Sequence, residues 1–354
     1  MDIRFEKRSE LKAKPTDETK LGFGRIFSDY MFMMNYTEGT GWHDARIVPY
    51  GDISISPAAT VLHYSQECFE GMKAYRDADG GISLFRPTDN FKRMNNSADR
   101  LCMPRLDIDE VMEALIKLVK LEQDWVPKTR GTSLYIRPNY IGIDPFVGVS
   151  AAKEYLFYII VGPVGAYYAS GLAPVKIYVE ESYRRAVKGG TGFAKTGGNY
   201  AASLIAGEEA HNRGFSQALW LDGREGKYIE EVGSMNMFFK IDGVLVTPEL
   251  GGSILPGITR DSVIKLAKDM GVKVEERKIS LDEVLEALES GKMDEAFGTG
   301  TAAVISPVGE LYFGEKRHLI NGGEMGEFSS KLYDTITGIQ YGEIEDPYGW
   351  RVRL

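Results

Sequence analysis

The stretch Phe193-Ala194-Lys195-Thr196-Gly197-Gly198-Asn199-Tyr200 sets one lysine just before two glycines and an Asn-Tyr pair, ahead of a helical composition at Ala201 to Arg213. Glycines tolerate positive φ and let a ligand approach the backbone closely. A lysine crowded into such a turn loses hydration, and desolvation favours the neutral amine that attacks carbonyl carbons. A lone K-x-G-G also suits an exposed surface loop. The weight of the motif therefore rests on what accompanies it.

The 354 residues exceed what one core usually holds, so two domains are expected. Hydrophobic residues at 43% and charged residues at 26% fit a soluble globular protein. A net charge of -9 argues against nucleic acid or an anionic membrane as partner, because both reward clustered Lys and Arg. Cys68 and Cys102 are too few and too far apart for a disulfide framework or a thiolate metal site. His43, His63, His211 and His318 are isolated, without a partner at ligand spacing, so no metal centre is expected. No apolar run approaches the roughly 20 residues of a membrane span, and the charged start Met1 to Lys7 is unlike a secretory signal. These bounds predict a cytoplasmic enzyme or binding protein.

Strand composition recurs at Ile26 to Tyr36, Ala45 to Ile55, Met72 to Tyr75, Ile82 to Arg86, Ser133 to Tyr140 and Glu154 to Val161. Asp77-Ala78-Asp79-Gly80-Gly81 closes a hairpin. Helical spacing appears over Asp89 to Leu101 and Asp109 to Glu122, the latter with Val111, Ala114, Leu115, Leu118 and Leu121 in one stripe. Gly and Pro crowd the stretch from Gly162 to Pro174 and suggest an interdomain linker at 164–174. Beyond it, Val175 to Glu180, Ala218 to Leu221, Lys227 to Glu231, Met235 to Ile241 and Val244 to Thr247 read as strands. Pro256-Gly257 opens a helix ending at Gly271, and Ser280-Leu281-Asp282-Glu283 is a capping box for another. Asp294 to Phe297 leads into a tight stretch, Gly298-Thr299-Gly300-Thr301-Ala302-Ala303. The sequence thus predicts two mixed α/β domains, 1–163 and 175–354.

Three further loops corroborate the lysine. Glu230-Glu231-Val232-Gly233-Ser234-Met235-Asn236 ends a strand on a carboxylate at a glycine. Leu255-Pro256-Gly257-Ile258-Thr259-Arg260 delivers a helix N-terminus whose N–H groups and dipole suit a phosphate. The Gly298 to Ala303 stretch offers hydroxyls and N–H groups to an anion. A Schiff-base lysine, a carboxylate for a ring nitrogen and a phosphate-binding helix start are the parts of a pyridoxal phosphate site.

From Phe23 to Val308 the chain resembles the fold-type IV pyridoxal-phosphate enzymes, and within them the branched-chain-amino-acid aminotransferases, with the motifs in family order. The resemblance implies a two-domain α/β fold with the active site at the domain interface, a small domain before the linker and a large cofactor-binding domain after it. It implies pyridoxal 5'-phosphate as cofactor and transamination between leucine, isoleucine or valine and 2-oxoglutarate, the transaminase reaction of branched-chain amino-acid biosynthesis. Lys195 would be the Schiff-base lysine and proton carrier, and Tyr200 would bond the cofactor's phenolate oxygen. Glu231, which directly precedes Val-Gly-Ser-Met-Asn, would keep the pyridine nitrogen protonated. Arg93, in Phe91-Lys92-Arg93-Met94-Asn95-Asn96-Ser97, would bind phosphate with Ile258, Thr259 and Thr301. Thr301 and Ala302 would receive the substrate α-carboxylate.

The resemblance also implies a substrate pocket lined by Phe23, Tyr64, Phe69, Tyr135, Arg137 and Tyr167, with Arg137 meeting the second carboxylate of glutamate. Val147 and Val149 resemble a loop that enters a neighbouring subunit's site, which implies a homodimer. Relatives that carry a C-x-x-C after the Gly-Thr-Ala turn differ here, since Ala303-Val304-Ile305-Ser306 takes its place. D-amino-acid aminotransferase and aminodeoxychorismate lyase are the neighbouring activities, and a phosphate-ligand binding module without chemistry is the rival of another class. A visible chromophore removed by hydroxylamine separates the enzyme from that module.

Overall fold

Apolar alternation in each half of the chain builds a separate sheet. The computed structural model describes residues 1–165 and 172–354. The chain divides into one unit of Met1–Tyr167, Ala194–Gly197 and Gly338–Leu354, and another of Tyr168–Phe193 and Gly198–Thr337.

The first unit holds a nine-stranded sheet in the order Arg4–Phe5, Gly41–Pro49, Tyr30–Thr37, Glu154–Val164, Ser133–Gly142, Met72–Arg76, Ile82–Phe85, Arg351–Arg353, with Glu67–Phe69 added beside Ser133–Gly142. Successive side chains of a strand point to opposite faces. Leu134, Ile136 and Tyr140 join a buried core with Phe32, Phe157 and the helices Pro87–Arg100 and Ile108–Leu121. Tyr135, Arg137, Asn139 and Ile141 therefore take the other face. Pro87 starts its helix before the expected Asp89, because the fixed φ of proline suits a first turn. Asp107 caps the next helix by accepting from the Glu110 N–H.

The second unit holds another nine-stranded sheet. Ile229–Val232 pairs with both Gln217–Leu221 and Met235–Ile241. With Val175–Glu180, Val304–Phe313 and Met293–Gly300 between them, these strands close into a ring. Ser280 accepts from the Glu283 N–H and caps Leu281–Glu289, as the sequence pattern predicts.

Four expectations are corrected. Ala194–Gly197 and Gly338–Leu354 group with the first unit, not with the second half of the chain. Arg351–Arg353 pairs with Ile82–Phe85, and buried Trp350 accepts from the Arg86 N–H through its carbonyl. A three-residue Arg-Val-Arg strand is too short to show a period. Gly298 and Gly300 lie inside the strand Met293–Gly300, so the turn is only Thr301-Ala302-Ala303. A Cβ at Gly298 would meet the Met235 Cε and Val232 Cγ1 at 3.0 Å, so this glycine serves packing. The helix after Lys195 is split into Gly197–Ala201 and Leu204–Asn212. Lastly, the hairpin strands Tyr30–Thr37 and Gly41–Pro49 meet at a turn where Gly39 and Gly41 take positive φ, several residues from the expected bounds. The expected linker at 164–174 contains residues 166–171, outside the described residues.

Glu122, 2% exposed, follows the helix Ile108–Leu121, and its carboxylate accepts from the Tyr30 N–H. Burial pushes its carboxyl up to about 7 against that hydrogen bond, and the Asp29 charge adds to the rise. The folded chain then holds a proton that an unfolded Glu releases at about 4.3. Stability from this group is present below that value and is lost as pH rises through about 7. Glu122→Gln, which keeps an acceptor for Tyr30, is expected to stabilise the protein by about 1–3 kcal/mol at about pH 8, with no gain near about pH 4.5. Urea unfolding at both pH values checks this, and equal midpoints at about pH 8 would contradict it.

Candidate active site

Lys195 is placed by the first sheet. The Phe69 N–H donates to the Lys195 carbonyl at 3.0 Å, and the Lys195 N–H donates to the Ser97 Oγ at 2.9 Å. Two residues on, the Gly197 N–H donates to the Glu67 Oε1. The segment is thus fixed on both sides of the lysine, by a strand edge and by the helix Pro87–Arg100. Its Nζ lies 5.0 Å from the Phe69 ring centroid.

Phe69 shares its sheet face with Asn139, its partner in the ladder, and so with Arg137 and Tyr135 along that strand. The Arg137 guanidinium stands 4.7 Å from the Phe69 centroid, and its Nη2 donates to the Tyr135 hydroxyl at 2.9 Å. Phe23 meets Tyr135 edge-on at 5.0 Å. A Cβ at Gly71 would meet the Tyr135 hydroxyl at 2.2 Å, so that position needs a glycine. Arg137 Nε is buried without a hydrogen-bond partner. A buried, unsatisfied guanidinium N–H is costly, and an incoming carboxylate would relieve that cost. Lys73 pairs with Tyr135 across the ladder, and burial pulls its ammonium down to about 8.

Arg93 is buried on the helix Pro87–Arg100. Its Nε and Nη2 donate to the two oxygens of Glu70 at 2.7 and 2.8 Å, and the Asn90 Nδ2 adds a bond of 2.8 Å. Burial pushes the Glu70 carboxyl up. The Arg93 charge and hydrogen bonds, with the Lys195 charge behind them, outweigh burial and hold it below the usual carboxylate range. Glu70 thereby fixes the direction of the Arg93 guanidinium.

The second unit brings together a carboxylate and a helix start. Glu231 is buried, and its Oε2 forms an ion pair with Arg185 Nε at 2.8 Å. Its Oε1 accepts from the Leu255 N–H at 3.0 Å and from the Asn236 Nδ2 at 3.3 Å. Asn236 also donates to the Leu255 carbonyl at 2.9 Å, and a Cβ at Gly257 would meet its Oδ1 at 2.0 Å. Gly257 is the N-cap of Ile258–Asp269 and supplies no side-chain cap. Asn236 therefore ties Glu231 to the start of this helix. Glu230 faces away, accepting from the Ser253 hydroxyl, and burial raises its carboxyl.

The amino-transferase class IV model matches residues 67–311. The chain is 58% identical over 352 residues to branched-chain-amino-acid aminotransferase 2 of Bacillus subtilis, covering 99% of this chain and 97% of that protein. The solved structure of the branched-chain amino acid aminotransferase from Escherichia coli superimposes with a TM-score of 0.71, at 31% identity, covering 92% of this chain and 98% of that one. That of the enzyme of the same name from Thermobaculum terrenum, in its PLP (holo) form, superimposes with a TM-score of 0.75, at 25% identity, covering 93% of this chain and 99% of that one.

This chain is a class IV aminotransferase.

Among the residues that sequence reasoning selected in this class IV aminotransferase, the structure groups Lys195, Phe69, Tyr135, Arg137 and Phe23 in one unit, and Glu231 with the Ile258 helix start in the other. Tyr200 is half-buried on Gly197–Ala201, Thr259 is buried, and Thr301 and Ala302 lie half-buried in their turn. Tyr64 is 40% exposed and its hydroxyl donates to the Val147 carbonyl at 2.5 Å. Val147 and Val149 are 62% and 90% exposed. Tyr167 lies outside the described residues. Sequence reasoning missed Glu67, Glu70, Ser97, Arg185 and Asn236, which act on the selected residues. Only the Glu-Gly step at Glu70 and the Asn of the Glu231 motif carried a signal.

A Cβ at Gly197 would lie 2.3 Å from Glu67 Oε1. Gly197→Ala is therefore expected to push Glu67 off the Gly197 N–H and lower turnover about tenfold, the scale of one hydrogen bond to a charged group. In a Glu67→Ala background the same glycine change should cost far less. Equal losses in both backgrounds, from steady-state rates, would place the need for Gly197 elsewhere.

Proposed function

We propose that this chain transfers amino groups between branched-chain L-amino acids and 2-oxoglutarate with pyridoxal 5'-phosphate as cofactor, as a branched-chain-amino-acid transaminase of the cytoplasm. The observation that carries the reading is the pairing on one sheet face of an aromatic wall with a guanidinium whose buried Nε lacks an acceptor. Phe23, Phe69 and Tyr135 suit an isobutyl-sized side chain, and Arg137 suits a carboxylate. The names of the relatives agree with this pairing.

The residues fit the cofactor. Its phosphate would be met by Arg93, directed by Glu70, with the N–H groups of Ile258 and Thr259 and the Thr301 hydroxyl. Glu231, ion-paired with Arg185, would hold a proton on the ring nitrogen, and Tyr200 would bond the phenolate oxygen. Bound pyridoxal phosphate supplies a carbonyl carbon and an electron sink. Lys195 would hold the cofactor at that carbon, and its Nζ would serve as the base for the proton of the substrate Cα. Hydrogen bonds on both sides of Lys195 limit where the amine can reach, which is the positional control such a transfer needs. The Thr301-Ala302 turn would hold the α-carboxylate common to all substrates. Tyr64 and, on the same reading, Tyr167 complete the pocket wall. The exposed Val147 and Val149 would reach a second copy in a homodimer.

An apolar pocket would reject the second carboxylate of glutamate, because burying an unpaired charge is expensive. Arg137→Met is expected to lower kcat/KM for glutamate and 2-oxoglutarate by roughly 10- to 150-fold, since a charge-assisted bond is worth about 1.5–3 kcal/mol. Leucine and its oxo acid should lose much less. Stopped-flow absorbance of the bound cofactor measures each half-reaction separately. Equal losses for both substrate types would show that Arg137 supports structure or the shared α-carboxylate.

A further inference from the structure

Anchoring Gly197 accounts for one oxygen of Glu67 but leaves its charge unexplained. It sits on Glu67–Phe69, on the same face as Phe69, with Ile141 as its ladder partner. Its Oε1 takes the Gly197 N–H, which anchors the carboxyl beside the Lys195 segment. The Arg137 guanidinium stands 4.7 Å from the Phe69 centroid on the same sheet face, with its Nε unpaired. The Glu67 carboxyl and the Tyr158 hydroxyl both lie within the field of Arg137 without forming an ion pair with it. When a leucine side chain fills the pocket, no substrate carboxylate balances the Arg137 charge. When 2-oxoglutarate fills it, a second negative charge arrives near Glu67.

We propose that Glu67 is a specificity-determining residue, ionised as the counter-charge of Arg137 while an apolar side chain is bound and taking up a proton when a dicarboxylate replaces it. The inference rests on the function proposed above. Burial raises the Glu67 carboxyl against the Gly197 hydrogen bond and the Arg137 charge, which brings it nearer to the pH range where such an exchange can occur. The titratable groups around it are Arg137 and Tyr135 on Ser133–Gly142, Tyr158 on Glu154–Val164, Lys73 on Met72–Arg76 and Lys195 on the anchored segment. Cys68 and Glu70 follow on its own strand, and Arg93 on Pro87–Arg100 is engaged by Glu70. On the preceding helix, Thr60–Tyr64, His63 bonds the Pro57 carbonyl and Tyr64 the Val147 carbonyl. Lys73, which burial pulls down to about 8, also titrates in this range, so the difference between the wild-type and Glu67→Gln profiles isolates the share of Glu67.

The test uses holoenzyme converted to its amino form with excess leucine and desalted. It is mixed with 2-oxoglutarate or 4-methyl-2-oxopentanoate across about pH 6 to about pH 9, and the ratio of the two single-turnover efficiencies is taken. In the wild type the ratio should fall roughly tenfold toward high pH, the scale of one unit of charge-induced shift. Glu67→Gln should flatten the profile and raise the high-pH ratio by about the same factor, through apparent affinity rather than maximal rate. A flat wild-type profile, or an unchanged slope in Glu67→Gln, overturns the proposal. Should that variant not fold, indicator-dye titration of wild-type holoenzyme decides. Glutarate should take up more protons on binding than 4-methylpentanoate, and equal uptake overturns the proposal. Absence of reaction with both oxo acids would instead overturn the proposed function.

Discussion

The hydrogen bonds that hold the Lys195 backbone between the strand Glu67–Phe69 and Ser97 are the constraint on which the first unit's chemistry depends. Only Ala194–Gly197 of the middle of the chain belongs to that unit, and those residues carry the lysine. The Phe69 N–H, the Ser97 hydroxyl and the Glu67 carboxylate fix the backbone to either side. Beyond that fixed backbone, the side chain places its Nζ 5.0 Å from the Phe69 ring centroid. A backbone held this way limits where the amine can reach, which is what a short proton transfer requires.

Buried charge is handled alike in both units. Glu70 locks Arg93, and Arg185 locks Glu231, each pair within about 3 Å and away from water. Such pairs add little net stability, since desolvation offsets much of the attraction. What they give is direction to the Arg93 guanidinium and the Glu231 carboxylate, which on the proposed function would meet phosphate and a ring nitrogen. Arg137 differs from both. Its partners are a hydroxyl and two aromatic faces, so it can accept a carboxylate from a substrate.

Much of this was legible in the sequence where local chemistry dominates. Val175–Glu180, Met235–Ile241 and Val244–Thr247 have the bounds their apolar runs suggest, and Ser280 caps the helix that its Glu283 partner announces. Val304–Phe313 was not legible, because Pro307 and Gly309 interrupt a strand whose burial comes from its central place in the sheet. The Lys195 motif and Glu231 stood out because glycines flank them. Their supports did not, since Glu70 and Arg93 are 23 residues apart and Gly197 and Glu67 are 130 apart. No period or motif encodes a pairing that only the folded sheet creates.

The central claim is that Lys195 alone carries the cofactor. Borohydride treatment of the purified, yellow holoenzyme, followed by proteolysis and mass spectrometry, locates the lysine that becomes permanently linked to it. The account predicts the pyridoxyl mass on the peptide containing Lys195 and on no other. Lys73 is the sharpest rival, because burial pulls its ammonium down to about 8 on the same sheet face. Label on Lys73, or spread over several lysines, would contradict the account.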